Sequence, residues 1–176
     1  GAAITAGTRN IAIGGVALDN VDSENDNLAI GYAALGGAID GGELNVAIGN
    51  YSLDALTTGD RNVGVGYMSL SANTTGYYNT ATGVNALKRN TTGYLNVAMG
   101  ESSLDANTTG GSNTAVSTSA LGANTTASNN TAVGTNSLVA NTTGASNVAV
   151  GRSALAANTT GANNTAVGRG ALAANT

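Results

Sequence analysis

The residues able to do chemistry in this chain are few, and their spacing limits what they could do. The densest group is acidic: Asp19, Asp22, Glu24 and Asp26 fall within one short stretch ending at Asn27 that is rich in carboxylate and amide oxygens. Calcium takes roughly six to eight such oxygens. The stretch has neither EF-hand spacing nor a repeated calcium-binding motif, so it reads first as a solvated turn and only second as a cation site. The aromatic residues are six tyrosines, Tyr32, Tyr51, Tyr67, Tyr77, Tyr78 and Tyr94. Exposed tyrosine can stack on sugars or anchor a protein partner. Tyr77, Tyr78 and Tyr94 are therefore candidate ligand contacts, against the alternative that they pack over corners of the fold. Asn73, Asn90, Asn107, Asn124, Asn141 and Asn158 each begin Asn-x-Thr, a glycan-acceptor pattern. In a chain built so largely of Asn and Thr the pattern arises without selection for it, and a structural role is expected. Ser and Thr abound, but there is no His or Cys, and no acid recurs in register to serve as a general base. The chain is read as non-enzymatic and without a cofactor.

What positions these residues is a repeat. The anchor Asn-(Thr/Val/Ile/Leu)-Ala-(Val/Ile)-Gly begins at or near Asn10, Asn27, Asn45, Asn62, Asn79, Asn96, Asn113, Asn130, Asn147 and Asn164, every 17 residues except for one step of 18 at Gly41-Gly42. Eight positions after each anchor stands a leucine: Leu18, Leu35, Leu53, Leu70, Leu87, Leu104, Leu121, Leu138, Leu155 and Leu172. A short fixed period predicts a solenoid, in which each unit buries its apolar face against its neighbours. The expected fold is thus an all-β parallel solenoid of about ten coils, one repeat domain spanning residues 1–176. The first residue falls mid-unit and the last inside a turn, so the chain reads as a piece of a longer protein.

Composition agrees. The chain lacks Phe, Trp, Pro and Cys, so the large side chains of a three-dimensional core are missing, while Ala, Val, Leu, Gly, Asn and Thr suit a thin core drawn out along one axis. Charged residues make up 9% of the chain and the net charge is −4, which argues against a nucleic-acid partner. Eight of the ten acids lie in residues 1–60, and five of the six basic residues lie beyond. Such a polarity could favour end-to-end stacking. No apolar run approaches the roughly 18 residues of a membrane span.

Within one unit the anchor reads as a strand, whose second and fourth residues share one face and whose Ala and Gly share the other. A second strand is expected to carry the Leu, and Asn-Thr-Thr-Gly is expected to turn the chain, with glycine supplying positive φ. Stacked copies would place Asn above Asn and Thr above Thr in hydrogen-bonded ladders. At about 4.8 Å per coil, ten coils give a rod of roughly 48 Å. If the Leu points inward, the Ala/Gly face of the strand supplies the shallow space opposite it. The Val/Ile face then points outward as an apolar stripe that invites burial against identical chains. The other assignment, Val/Ile inward with Leu, leaves a smooth Ala/Gly face outside, and close packing of copies survives either choice.

The unit Asn-Thr-Ala-Val-Gly-x-x-Ala-Leu-x-Ala resembles the head repeats of trimeric autotransporter adhesins of the YadA type, over essentially all of residues 10–176. The resemblance implies a left-handed parallel β-roll, three chains about one axis, and an extracellular place on a cell surface, where such heads bind host matrix protein or glycan. Related repeats occur in phage tail fibres and in surface proteins with an endosialidase-type chaperone domain, so a virion fibre or a filament shaft with no ligand is the alternative. The family repeat is shorter by about one small turn, and the Asn-Thr-Thr-Gly loop is the expected insertion. A lesser alternative is an ice-binding solenoid, although the Thr pair here sits in a turn and not as Thr-x-Thr on a strand.

Overall fold

The computed structural model describes residues 6–20 and 23–175. They form one parallel sheet of ten three-residue strands paired in sequence order: β1 (Ile11–Ile13), β2 (Leu28–Ile30), β3 (Val46–Ile48), β4 (Val63–Val65), β5 (Thr80–Thr82), β6 (Val97–Met99), β7 (Thr114–Val116), β8 (Thr131–Val133), β9 (Val148–Val150) and β10 (Thr165–Val167). The register is strict, Ala29 on Ala47, Ala81 on Ala98, Ala132 on Ala149. The chain is a β-solenoid of about nine turns from the first strand to the last, without helices among the described residues. The 18-residue step is absorbed at Gly41, whose φ of 105° suits glycine and whose surroundings are open.

Of the two assignments of the strand faces, the structure takes the first. The central residue of the strand, Gly64 in β4 and Ala in the others, is buried in every unit from Ala29 to Ala166, and its two neighbours look outward and are half-exposed or exposed. The leucines eight positions after each anchor, from Leu18 to Leu155, are fully buried and pack with these alanines as one continuous core. Leu172 departs from the expected core row: it is 52% exposed, because no described coil lies above it.

The expected second strand does not form. The leucines have φ between 47° and 54°, and the residue two before each is left-handed as well, as at Tyr51 and Met68. Two reversals within three residues break an extended chain, so the segment is a turn. It nonetheless bonds from coil to coil, Leu70 N–H to the Ala86 carbonyl and Leu87 N–H to the Ser103 carbonyl, both at 3.0 Å. A left-handed L-residue costs about 1–2 kcal/mol, and full burial of a leucine side chain returns about 1.5–3 kcal/mol. Leucine thus offsets its own backbone, which explains why a large apolar residue occupies a position that looks made for glycine.

Two glycine columns have different reasons. The glycine after the strand, Gly14 through Gly168, has φ of 125–136° wherever it occurs, a region that strongly disfavours side chains. The turn glycine was expected to supply positive φ and does not. It is small for lack of room: a methyl group on Gly76 would collide with the Asn73 carboxamide oxygen and the Gly93 carbonyl. Ala127 occupies the same place one repeat beyond Gly110 and stays buried, keeping the hydrogen bonds of the glycine copies, so one methyl is tolerated there.

Two asparagine ladders run through the interior. In the first, each anchor Oδ1 accepts from the next coil: Asn45 Oδ1 takes the Asn62 backbone N–H at 2.9 Å and the Asn62 Nδ2–H at 3.2 Å. The remaining Nδ2–H closes the turn of its own coil, from Asn62 to the Gly76 carbonyl at 2.9 Å. The second ladder starts at Asn73: Asn90 Nδ2 donates to Asn73 Oδ1 at 2.7 Å and to the Gly93 carbonyl at 3.0 Å. Before Asn73 that column is apolar, Leu56 filling the buried site. Buried amides are tolerable because they are paired. The first Thr of each turn adds an outer row, Thr74 Oγ1–H to the Thr91 carbonyl and Thr91 Oγ1–H to the Thr108 carbonyl.

Candidate interaction surface

The strand places its second and fourth side chains on one outward face. From β2 to β9 these are Leu, Ile, Val, Thr and Met, and no strand residue is charged. They are mostly half-exposed, and more open at the ends (Ile11 53%, Ile13 59%, Val167 71%) and at Met99 in β6 (46%). The sheet therefore presents an uncharged stripe from one end of the rod to the other.

Large side chains flank this stripe on both sides. After the strand come Tyr32, Tyr51 and Tyr67 in successive coils, edge to face, with ring centroids 5.5 and 6.1 Å apart. Before the strand stand Tyr77, Tyr78 and Tyr94, the three candidate contacts. Tyr77 and Tyr94 are stacked with planes 10° apart and centroids at 5.4 Å. Tyr78 meets Tyr77 edge-on, and the Arg61 guanidinium lies 5.4 Å from its ring centre. A methyl group on the buried Gly111 would come within about 3.0 Å of the Tyr94 ring. Both faces of Tyr94 are thus engaged inside the chain, and what the cluster offers outward is edges and hydroxyls. The sequence named the residues; it did not reveal that they are neighbours across coils, or that Leu44 and Leu95, 43% and 51% exposed, extend the same patch.

The acidic stretch is arranged otherwise than a cation site. Glu24 is buried and accepts the Gly41 N–H and the Ser23 N–H, each at 3.0 Å. Asp26 pairs with Arg9 at 2.5 and 2.7 Å, and that hydrogen bond holds its carboxyl below the ordinary range. Asp19 is half-buried on the turn after Leu18. Asp22 lies outside the described residues. Among the described residues no three His, Cys, Asp or Glu side chains gather to hold a metal, no pocket forms, and no helix is long and apolar enough to cross a membrane.

The Asn-x-Thr asparagines Asn73, Asn90, Asn107, Asn124, Asn141 and Asn158 are fully buried in the second ladder, so in the folded chain their amide nitrogens donate inward. Two carboxylates elsewhere are strained by their setting. Burial pushes up Asp54, whose Oδ1 has no partner, and pushes up Asp105, the latter opposed by Arg89 and Lys88.

No family model, curated protein or solved structure matches the chain.

Proposed function

We propose that this chain is a rod segment of an extracellular surface fibre, in which three identical β-rolls run parallel and hide their strand faces along a common axis, leaving the corners to make adhesive contacts. The carrying observation is the outward strand face, uncharged and half-exposed along the whole sheet. Monomeric soluble proteins rarely leave so long an apolar stripe open. A partner must also match its axial period, since side chains of a different repeat drift out of step within a few rungs. A second copy has the same period by construction. The likeness to the YadA-type head repeats supports three chains, left-handed winding and display on a cell or virion surface. The mechanism is passive: a stiff core presents identical corners many times over, and multivalency raises avidity without strong single sites.

The particle mass in solution tests this, by light scattering or sedimentation. Three chains are expected, and a monomer at micromolar concentration overturns the reading. The shaft with no ligand of its own is the second reading, favoured by the engagement of both Tyr94 ring faces within the chain. Solid-phase binding to matrix proteins and glycans separates it from an adhesin, and a thermal-hysteresis assay disposes of the ice-binding alternative.

A further inference from the structure

We infer that the two flanks of the strand face are halves of one interface: the Tyr32, Tyr51, Tyr67 side of one copy packs against the Leu44, Tyr78, Leu95 side of the next, closing a ring of parallel copies through the coils from β2 to β6. This rests on the assembly proposed above and specifies which surfaces meet in it.

The repeat supplies its own controls. The residue just before each anchor Asn is left-handed throughout, with φ from 55° to 63°. In the later coils that place is taken by Ser112, Asn129, Ser146 and Asn163. Asn is well suited to left-handed backbone and bulky side chains are not. The fold is therefore served by Asn or Ser, yet in the earlier coils, where Arg9, Asp26 and Arg61 share the column, it also holds Leu44, Tyr78 and Leu95, 43%, 48% and 51% exposed. The opposite flank divides one coil earlier: Tyr32, Asn50, Tyr67 and Val84 give way to Glu101, Thr118 and Thr135. Large exposed side chains on both flanks in overlapping coils, set on disfavoured backbone at Leu44, Tyr78 and Leu95, call for a partner outside the chain.

The overlapping heights select the partner's geometry. In a ring of parallel copies, the side after the strand of one chain meets the side before the strand of its neighbour at equal height. A fully overlapped antiparallel pair would lay the apolar half of one rod on the polar half of the other. Both flanks also adjoin the uncharged strand face, so one continuous surface is buried.

Cysteine pairs test this in a chain with no cysteine of its own. Tyr78→Cys and Val84→Cys sit on opposite flanks of the same strand, β5, and so at equal height, roughly 15 Å apart. A disulfide requires Cα atoms within about 7 Å, so one chain cannot bridge the pair. On mild oxidation the double variant should close into covalent rings of the same chain number as the native particle, while each single variant stays unlinked. A particle of native mass that does not link, or a single variant that links to itself, overturns the flank assignment while leaving the assembly standing. A monomeric native chain removes both. As a second measurement, Tyr78→Asn retains a residue this column already uses at Asn129, so folding is preserved. It should weaken association at least tenfold, and an unchanged dissociation midpoint with native circular dichroism also overturns the assignment.

Discussion

The side-chain oxygen of Asn79 accepts two donors from Asn96, its backbone N–H and its carboxamide, both at 3.1 Å. The second Asn96 Nδ2–H reaches the Gly110 carbonyl at 2.8 Å, and Asn96 Oδ1 takes the Asn113 N–H at 3.0 Å. One buried side chain thus ties together three successive coils and the turn of its own.

Replacing it should be costly. Asn96→Ala leaves the buried Asn113 N–H unpaired, at about 1–3 kcal/mol, and takes one of two donors from the Gly110 carbonyl, which keeps the Asn107 Nδ2–H at 3.0 Å. A loss of about 1–3 kcal/mol per chain in denaturant unfolding is expected. A loss below about 0.5 kcal/mol would mean that the ladder contributes nothing.

The leucine row gives a graded test. Leu104 is fully buried and Leu172 is half-exposed. Leu104→Ala should cost about 2–5 kcal/mol through lost burial and a residual cavity. Leu172→Ala should cost only a small fraction of that. Equal losses would show that the two sites are buried alike in solution.

Ser117 stands where the other units carry Gly, and its φ of 114° lies in a region that is essentially glycine's own. Ser117→Gly relieves that strain, against the lost contact of its hydroxyl with Thr135 Oγ1 at 3.1 Å and a more flexible unfolded chain. A net gain of about 1 kcal/mol is expected by thermal melting. The reverse change elsewhere, Gly134→Ala, puts a methyl 2.7 Å from the Gly151 backbone and should destabilise the fold.

The pH dependence follows from Asp54, Asp105 and Asp26. Burial raises the folded pKa of Asp54 and Asp105, so the native state holds these protons more tightly than the unfolded chain. Their contribution is complete below the ordinary carboxylate range and is lost as pH rises through the raised values. Asp26 is depressed by its Arg9 hydrogen bond, and its contribution is lost only as pH falls through that lower value. Stability should therefore rise on acidification from pH 7 toward the ordinary aspartate range, about pH 4, then decline. Asp54→Asn should raise the melting temperature at pH 7 and shrink that rise. A profile flat in both proteins would dismiss the unpartnered Asp54 Oδ1 as a liability.

Much of this was legible in the chain. Period and leucine spacing specify a stack; alternation around Ala29 or Ala98 left two assignments of the strand faces open, and the one with leucine inward and the flanking aliphatic residues outward is the one observed. What could not be read was the leucine's backbone. An Ala-Leu pair between small residues looks like a strand, because only the three-dimensional bargain between left-handed strain and burial at Leu53 or Leu87 makes it a turn. The turn glycines were misread for a related reason: Asn-Thr-Thr-Gly suggests positive φ, whereas Gly76 and Gly93 are small to admit the Asn73 and Asn90 carboxamides beside them. The tyrosine patch was half legible. Its members are named by type, but the pairing of Tyr77 with Tyr94 depends on a spacing of one full repeat.

Each side-chain rung bond joins a residue to its counterpart one repeat away, as Asn90 to Asn73 and Asn107 to Asn90. Duplicating or excising a whole unit therefore lengthens or shortens the molecule without asking any other residue to change. Reach becomes a quantity that recombination between near-identical segments can adjust in increments of roughly 4.8 Å, much as links are added to a chain.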